Sequence, residues 1–259
     1  MKDKIVVVTG STSGIGFGIA SKFAKNGATL VINGLASDSE VKKLSSELKL
    51  LGAAEVLFDS ADLSKPVEID RMFKNIIQKY QRVDVLVNNA GIQFVSPIEN
   101  FPPEKWEMII RIDLIAAFYT IKNVIPIMKQ QKWGRVINIA SAHALVASPF
   151  KSAYVAAKHG LIGLTKSVAL EVAQDGITVN SICPGYVKTP LVVNQIADTA
   201  KARSMSEEDV IKNVILGVQA TKKFVEIEEI ADFVYFLSSD SASSITGAAL
   251  SIDGGWTAQ

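Results

Sequence analysis

Seven short apolar runs recur along the chain: KIVVVTG, ATLVING, AAEVLFD, VDVLVNNAG, GRVINIAS, ITVNSICPG and ALSIDGG. They lack the in–out alternation of a strand with one wet face, so they suit strands buried on both sides. Between them lie segments with apolar residues at helical spacing, among them GIGFGIASKFAKNG, SEVKKLSSELKLLG, PVEIDRMFKNIIQKYQ and PEKWEMIIRIDLIAAFYTIKNVIPIMKQQ. Strand–helix alternation of this kind predicts an α/β fold: a doubly wound, Rossmann-type parallel sheet of seven strands with helices on both faces. One segment breaks the rhythm. Residues 190–218, between CPGYVKTP and EIEEIADFVYFLSS, are too long for an ordinary helix–strand connection. They read equally as a small helical lid over a binding cleft and as extra surface helices on a single domain spanning 1–259.

A length of 259 residues suits one such domain, and a formal net charge of +1 gives no global field to attract nucleic acid or an anionic membrane. Cys183 is the one cysteine, which excludes an internal disulfide and a cysteine-rich metal site; no metal is expected. The opening MKDKIVVVTGSTSG reaches glycine too soon for a signal peptide. No stretch approaches the roughly 18 unbroken apolar residues of a membrane span. A cytoplasmic protein without nucleic-acid or membrane partners is expected.

The first strand runs into TGSTSGIG, with Gly10, Gly14 and Gly16 at the entrance to the first helix. Glycine lets the backbone turn sharply and approach a pyrophosphate, and a helix N-terminus offers free N–H groups and a partial positive charge. Ser11, Thr12 and Ser13 add hydroxyls. An acid at the end of the second strand would bind ribose hydroxyls, whereas an arginine would accept a 2′-phosphate. The chain has Asn33, Gly34 and Leu35 there, and nothing basic near the glycine loop. NAD is therefore favoured over NADP, and Asp38 reads as a helix-start residue.

The segment KSAYVAAKHG sets Tyr154 between Lys151 and Lys158 at helical spacing, so all three share roughly one helix face. A free phenol, with a pKa of about 10, is too weakly acidic to take an alcohol proton near neutrality. A cation beside it favours phenolate, and Lys158 together with the positive charge of an oxidised nicotinamide is expected to bring Tyr154 toward the working pH. Ser141, closing the fifth strand, would polarise the same substrate oxygen.

These motifs, TGSTSGIG, DLS with Asp62, NNAG, Ser141, YVAAK and PGYVKT, span almost the whole chain, and together they resemble the short-chain dehydrogenase/reductase family. The resemblance implies a tyrosine acid/base (Tyr154), a lysine that binds the nicotinamide ribose (Lys158) and a serine that holds the substrate oxygen (Ser141). It implies a cofactor lined by Gly10, Thr12, Ser13, Gly14, Ile15 and Gly16 from the loop, and by Leu35, Asp62 and Leu63 beyond it. Asn89, Ala90 and Gly91 of NNAG, and Pro184, Gly185, Val187 and Thr189 of the PGYVKT turn, complete that set with Tyr154 and Lys158. A homotetramer is also implied, and Ala156, Ala157, Gly160 and Gly163 would permit close helix approach. One position departs from the pattern. Asp113, in IIRIDLIAAF, stands where the family usually has an asparagine whose backbone carbonyl supports a water leading from the lysine to solvent. A carboxylate there would offset part of the field of Lys158 and move the working range to higher pH, unless it is bonded away from the relay.

Lys151 is a second cation beside the reacting alcohol, and it suggests an anionic substrate. Gln93, His143 and Trp256 can converge on it. This set closely resembles the family's 3-hydroxybutyrate dehydrogenase branch, in which glutamine, histidine and lysine bind a carboxylate. Gln195, in LVVNQIAD, matches a lid glutamine of that branch. The implied partner is a small hydroxy or keto carboxylate bound by Gln93, Ser141, His143, Lys151, Tyr154, Gln195 and Trp256. The expected reaction is (R)-3-hydroxybutyrate with NAD⁺ to acetoacetate and NADH. The rivals are an NADP-dependent reductase of 3-oxoacyl thioesters and a non-catalytic NAD-binding regulator. His159 and Cys183 read as packing residues.

Overall fold

In the computed structural model, residues 1–258 are described. The seven strands are β1 (Ile5–Val8), β2 (Thr29–Asn33), β3 (Glu55–Asp59), β4 (Val85–Asn88), β5 (Gly134–Ile139), β6 (Ile177–Pro184) and β7 (Ala249–Ile252). They form one sheet in the order β3-β2-β1-β4-β5-β6-β7. Every pairing is parallel. The expected sheet is therefore present, with its order reversing between β1 and β4.

Successive side chains of a strand point to opposite faces, and the sheet feeds two cores in this way. Val6 and Val8 of β1 pack on one face with Ile19 and Phe23 of α1 (Gly14–Ala24) and Ile230 and Val234 of α10 (Ile227–Leu237). Ile5 and Val7 pack on the other with Ile69, Met72 and Phe73 of α3 (Pro66–Tyr80) and Val124 and Met128 of α5 (Ala116–Gln131). Asp38 opens α2 (Asp38–Leu50), as expected, behind a capping box made by Ser37 and Glu40.

The long helical stretch after Pro102 is not one regular helix. It comprises α4 (Pro103–Ile110), a π-helical turn at Arg111–Ile115, and then α5. The Ala116 N–H reaches back to the Arg111 carbonyl, and this widened turn buries Asp113. Residues 190–218 fold into α7 (Pro190–Asn194), α8 (Ile196–Arg203), α9 (Glu207–Asp209) and a π-helical turn at Val210–Ile215. Val192, Ala200, Val210 and Ile215 share a small core with Tyr186 and Trp256. Among the described residues, no helix is long and apolar enough to cross a membrane.

A buried polar chain ties the centre of the sheet to the helix that carries Tyr154, α6 (Ser152–Val172). Asn88 Nδ2 donates to Asn138 Oδ1 at 2.9 Å, and Thr120 Oγ1 donates to Asn88 Oδ1 at 2.6 Å. Asn138 Nδ2 donates to Thr165 Oγ1 at 2.8 Å, and the Thr165 and Ser181 hydroxyls are hydrogen-bonded to each other at 2.7 Å. Every group in the chain is satisfied, so losing one member strands its neighbours in an apolar surround. Asn138→Ala is expected to cost about 2–4 kcal/mol of unfolding free energy, measured by urea denaturation. A loss below about 1 kcal/mol would mean that the chain does not hold α6 to the sheet.

Candidate active site

Where the strand order reverses, the chain leaves β1 and β4 in opposite directions and a crevice opens at their carboxyl ends. This cleft, of about 420 Å³, is lined by every residue expected at the cofactor except Gly16. Gly16 is a packing glycine. A Cβ there would collide with the Asn89 carboxamide and the Gly10 carbonyl, so its absence lets α1 close against the NNAG loop. Gly10 and Gly14 adopt left-handed φ values of +59° and +55°. A Cβ on Gly10 would come within 2.7 Å of Ala90 Cα. Ser13, the N-cap of α1, makes no side-chain cap bond, and the first turn of α1 carries no acid. The positive helix end thus points into a cradle shaped by glycine, a fit to a bound pyrophosphate.

At the end of β2, Asn33 is committed internally. Its Nδ2 donates to the Asp59 and Ala61 carbonyls, both at 3.0 Å. Leu35 sits 77% exposed on the rim. Asp62 is held by Ser64, whose backbone N–H and hydroxyl donate to it at 3.0 and 2.7 Å. Lys158 is the only Lys or Arg lining the cleft among the described residues.

Tyr154, Lys158 and Ser141 converge at the inner end of the cleft. The Lys158 ammonium lies 5.4 Å from the Tyr154 ring centroid and donates to the Ile139 carbonyl at 3.0 Å. Asp113, 2% exposed, accepts from the Ile92 N–H through Oδ1 at 2.8 Å and places Oδ2 3.4 Å from Lys158 Nζ. The carboxylate is therefore not bonded away from the lysine. Gly91 makes room for it, since a Cβ there would lie 2.9 Å from Oδ2. Burial pushes Asp113 up to about 6, against the pull of Lys158 and the Ile92 N–H. Burial also works against the charge of Lys158, yet Asp113 and Tyr154 hold its proton more tightly than in a free lysine.

Tyr154 shows what Lys158 achieves without the charge of an oxidised nicotinamide. In the protein alone its pKa is raised. Burial is the largest cause, Lys158 and a hydrogen bond to Ser141 oppose it, and Asp113 reinforces it. Lys158 by itself does not overcome desolvation.

Next to Tyr154 and Ser141 is a smaller pocket of about 50 Å³, lined by all seven residues expected at the substrate. Lys151 is buried and donates to the Tyr186 hydroxyl at 3.2 Å. No acid lines this pocket, and Lys151 has no ion-pair partner among the described residues. Burial, and then the Arg203 guanidinium on α8, bring Lys151 down to about 7. Phe150, just before it, is held at φ +70°, a strained conformation of order 1–3 kcal/mol for a non-glycine residue. Its carbonyl is fixed by the Ser96 N–H at 3.0 Å.

His143 is kept neutral by burial and by the charge of Lys151; its Nε2 meets the Ser148 hydroxyl at 3.0 Å. Its ring stands edge-on to Trp256 at 4.8 Å, and Trp256 stacks on Tyr186 at 5.2 Å. Both polar atoms of Gln93, and Oε1 of Gln195, are buried without a hydrogen-bond partner. Buried polar groups are rarely left so, and here they face a cavity.

A family model described as enoyl-(acyl carrier protein) reductase matches residues 10–257. D-beta-hydroxybutyrate dehydrogenase of Rhizobium meliloti is 55% identical over 256 residues, 99% of each chain. The chain belongs to the short-chain dehydrogenase/reductase family. D-beta-hydroxybutyrate dehydrogenase of Cupriavidus necator is 46% identical over 260 residues, covering both chains in full. An actinorhodin polyketide ketoreductase solved with NADPH superposes with a TM-score of 0.93 at 30% identity, over the full length of both chains. As a short-chain dehydrogenase/reductase the protein is an oxidoreductase that binds a nicotinamide dinucleotide.

Sequence reasoning missed Tyr186, Leu191 and Val192, which also line the small pocket. The signal was present: in PGYVKT, Gly185 and Val187 line the large cleft, while Tyr186 between them lines only the small pocket. His159, read as a packing residue, is instead exposed and bonded to the Val155 carbonyl at 2.9 Å. Cys183 is fully buried, as expected, and burial pushes its thiol up to about 11.

Gly10→Ala combines a forbidden φ with a backbone collision, and should weaken dinucleotide binding about tenfold or more, read by fluorescence titration. Unchanged affinity would refute the cradle.

Proposed function

We propose that the protein oxidises (R)-3-hydroxybutyrate to acetoacetate with NAD⁺. The observation that carries this reading is the small pocket: a buried ammonium with no acid near it, facing two carboxamides with unpaired polar atoms. A compact carboxylate supplies what each of these groups lacks. The names of the two dehydrogenase relatives agree with it. The small size of the pocket disfavours a long 3-oxoacyl thioester. Preference for NAD rests on the cleft lining, in which no Lys or Arg among the described residues stands near Leu35 to neutralise a 2′-phosphate.

The residues divide the work. Lys151, Gln93 and Gln195 hold the carboxylate, with neutral His143 donating from one ring nitrogen. The stacked Tyr186 and Trp256 wall the pocket, and α7 and α8 close over it as a lid. Ser141 donates to the substrate oxygen, and Tyr154, as phenolate, accepts the hydroxyl proton and passes it toward solvent. Bound NAD⁺ supplies the hydride acceptor. Lys158, with donors to spare beyond Ile139, holds the ribose. A homotetramer fits the exposed Ala156 on α6 and the open space beside Gly163, together with exposed Ile115 and Phe118; light scattering tests it.

Two measurements test the substrate reading. Lys151→Met should raise KM for 3-hydroxybutyrate about 10- to 100-fold, the worth of a charged hydrogen bond, with a far smaller change for a neutral secondary alcohol. Equal changes for both would sink it. The second is pH. Lys151 of the empty pocket titrates at about 7, and only its charged form attracts a carboxylate. Affinity for the acid should therefore be full below that pH and fall as pH rises through it, while KM for a neutral alcohol stays flat.

A further inference from the structure

We propose that Asp113 is an internal counter-ion that offsets the charge of Lys158 at Tyr154, so that the phenol depends on the positive charge of the incoming oxidised dinucleotide more than it would beside an asparagine. The inference rests on the proposed dehydrogenase chemistry but not on the identity of the substrate. It follows from which groups near the phenol can carry charge. Lys158 reaches it from α6 and Asp113 from the π-helical turn, and these two face each other at 3.4 Å. Of the other titratable neighbours, Lys151 lies in the substrate pocket and three are silent. Cys183 on β6 holds its thiol proton, His143 is neutral, and Tyr186 is pushed up by burial. Ser141 contributes only a hydroxyl. The Lys158–Asp113 pair is thus close to neutral when Asp113 is ionised, where an asparagine would leave Lys158 uncompensated; Lys151, in the substrate pocket that Tyr154 also lines, is the remaining cation and titrates at about 7.

The geometry makes this a fixed feature rather than a passing contact. The Ile92 N–H holds Oδ1, the Ala116-to-Arg111 bond sets the turn, and the absent Cβ of Gly91 leaves room for Oδ2. Burial keeps water from screening the pair. Asp113 does not touch the reacting atoms; it is a positioning residue acting through Lys158. The consequence is a coupling. A phenol disfavoured as its anion in the empty protein loses its proton to solvent when a cation binds beside it, and a reduced, uncharged nicotinamide gives no such push.

The test uses the whole protein without substrate. Wild type, Asp113→Asn and Tyr154→Phe are mixed with NAD⁺, NADH and, in a parallel arm, NADP⁺. Proton release is followed with an indicator dye in weak buffer across pH, alongside dinucleotide affinity by fluorescence. In wild type the oxidised dinucleotide should release protons and the reduced one should not. Tyr154→Phe should release none above the range in which Asp113 and Lys151 titrate, about 6 and about 7. In Asp113→Asn the release should move to lower pH by about one unit. Superimposable profiles for wild type and Asp113→Asn would overturn the proposal, as would release persisting in Tyr154→Phe above that range. Should Asp113→Asn fold poorly, Asp113→Ser, which also removes the charge, makes the same comparison with wild type. If only NADP⁺ binds, the cofactor preference is wrong, and the coupling is read in that arm.

Discussion

Two neighbouring parallel strands, β1 and β4, send their chains away from each other, and no backbone crosses the gap at their ends. The rest of the molecule depends on that constraint. Parallel neighbours cannot be joined by a tight turn, so each connection travels through a helix, and the helices must divide between the two faces. The division leaves a crevice walled by the loop after β1 and the NNAG loop after β4. Glycine at position 10 lets those two loops touch. The site residues then come from the ends of β4, β5 and β6 and from the helix after β5.

Within that frame the chemistry is a matter of which charges are removed from water. His143, Cys183 and Tyr186 are all buried in their neutral forms. Lys151 is buried near the edge of losing its proton, and Lys158 keeps its own through Asp113. A buried ion pair gains little stability, because desolvation takes back most of the attraction. The Asp113–Lys158 pair is better understood as a way of setting the field at one oxygen than as a contribution to holding the fold together.

The fold was legible because its signal is local and repeated: apolar runs for doubly buried strands, helical spacing between them. Tyr154 and Lys158 were legible because four residues on a helix is a fixed distance. What the sequence concealed depends on packing between distant segments. Gly16 belongs to a run of glycines, and only the position of Asn89 makes it a packing residue. The π-helical turn at Asp113 looks helical in any periodicity count, since it adds a single residue to a turn. The raised pKa of Tyr154 in the protein alone follows from burial by several elements at once, which the spacing of Tyr154 and Lys158 does not reveal. His159 lies next to Lys158 in sequence, yet one step along a helix turns it outward to solvent.

Cys183 sits on β6, fully buried within a few residues of the catalytic centre, and its thiolate is suppressed. A sulfur so placed is insulated from peroxide and alkylating agents for as long as the sheet stays closed. The protein thus carries a single silent nucleophile at its middle. That nucleophile becomes reactive only when the central strands part, so the rate at which it is tagged would count openings of the sheet itself.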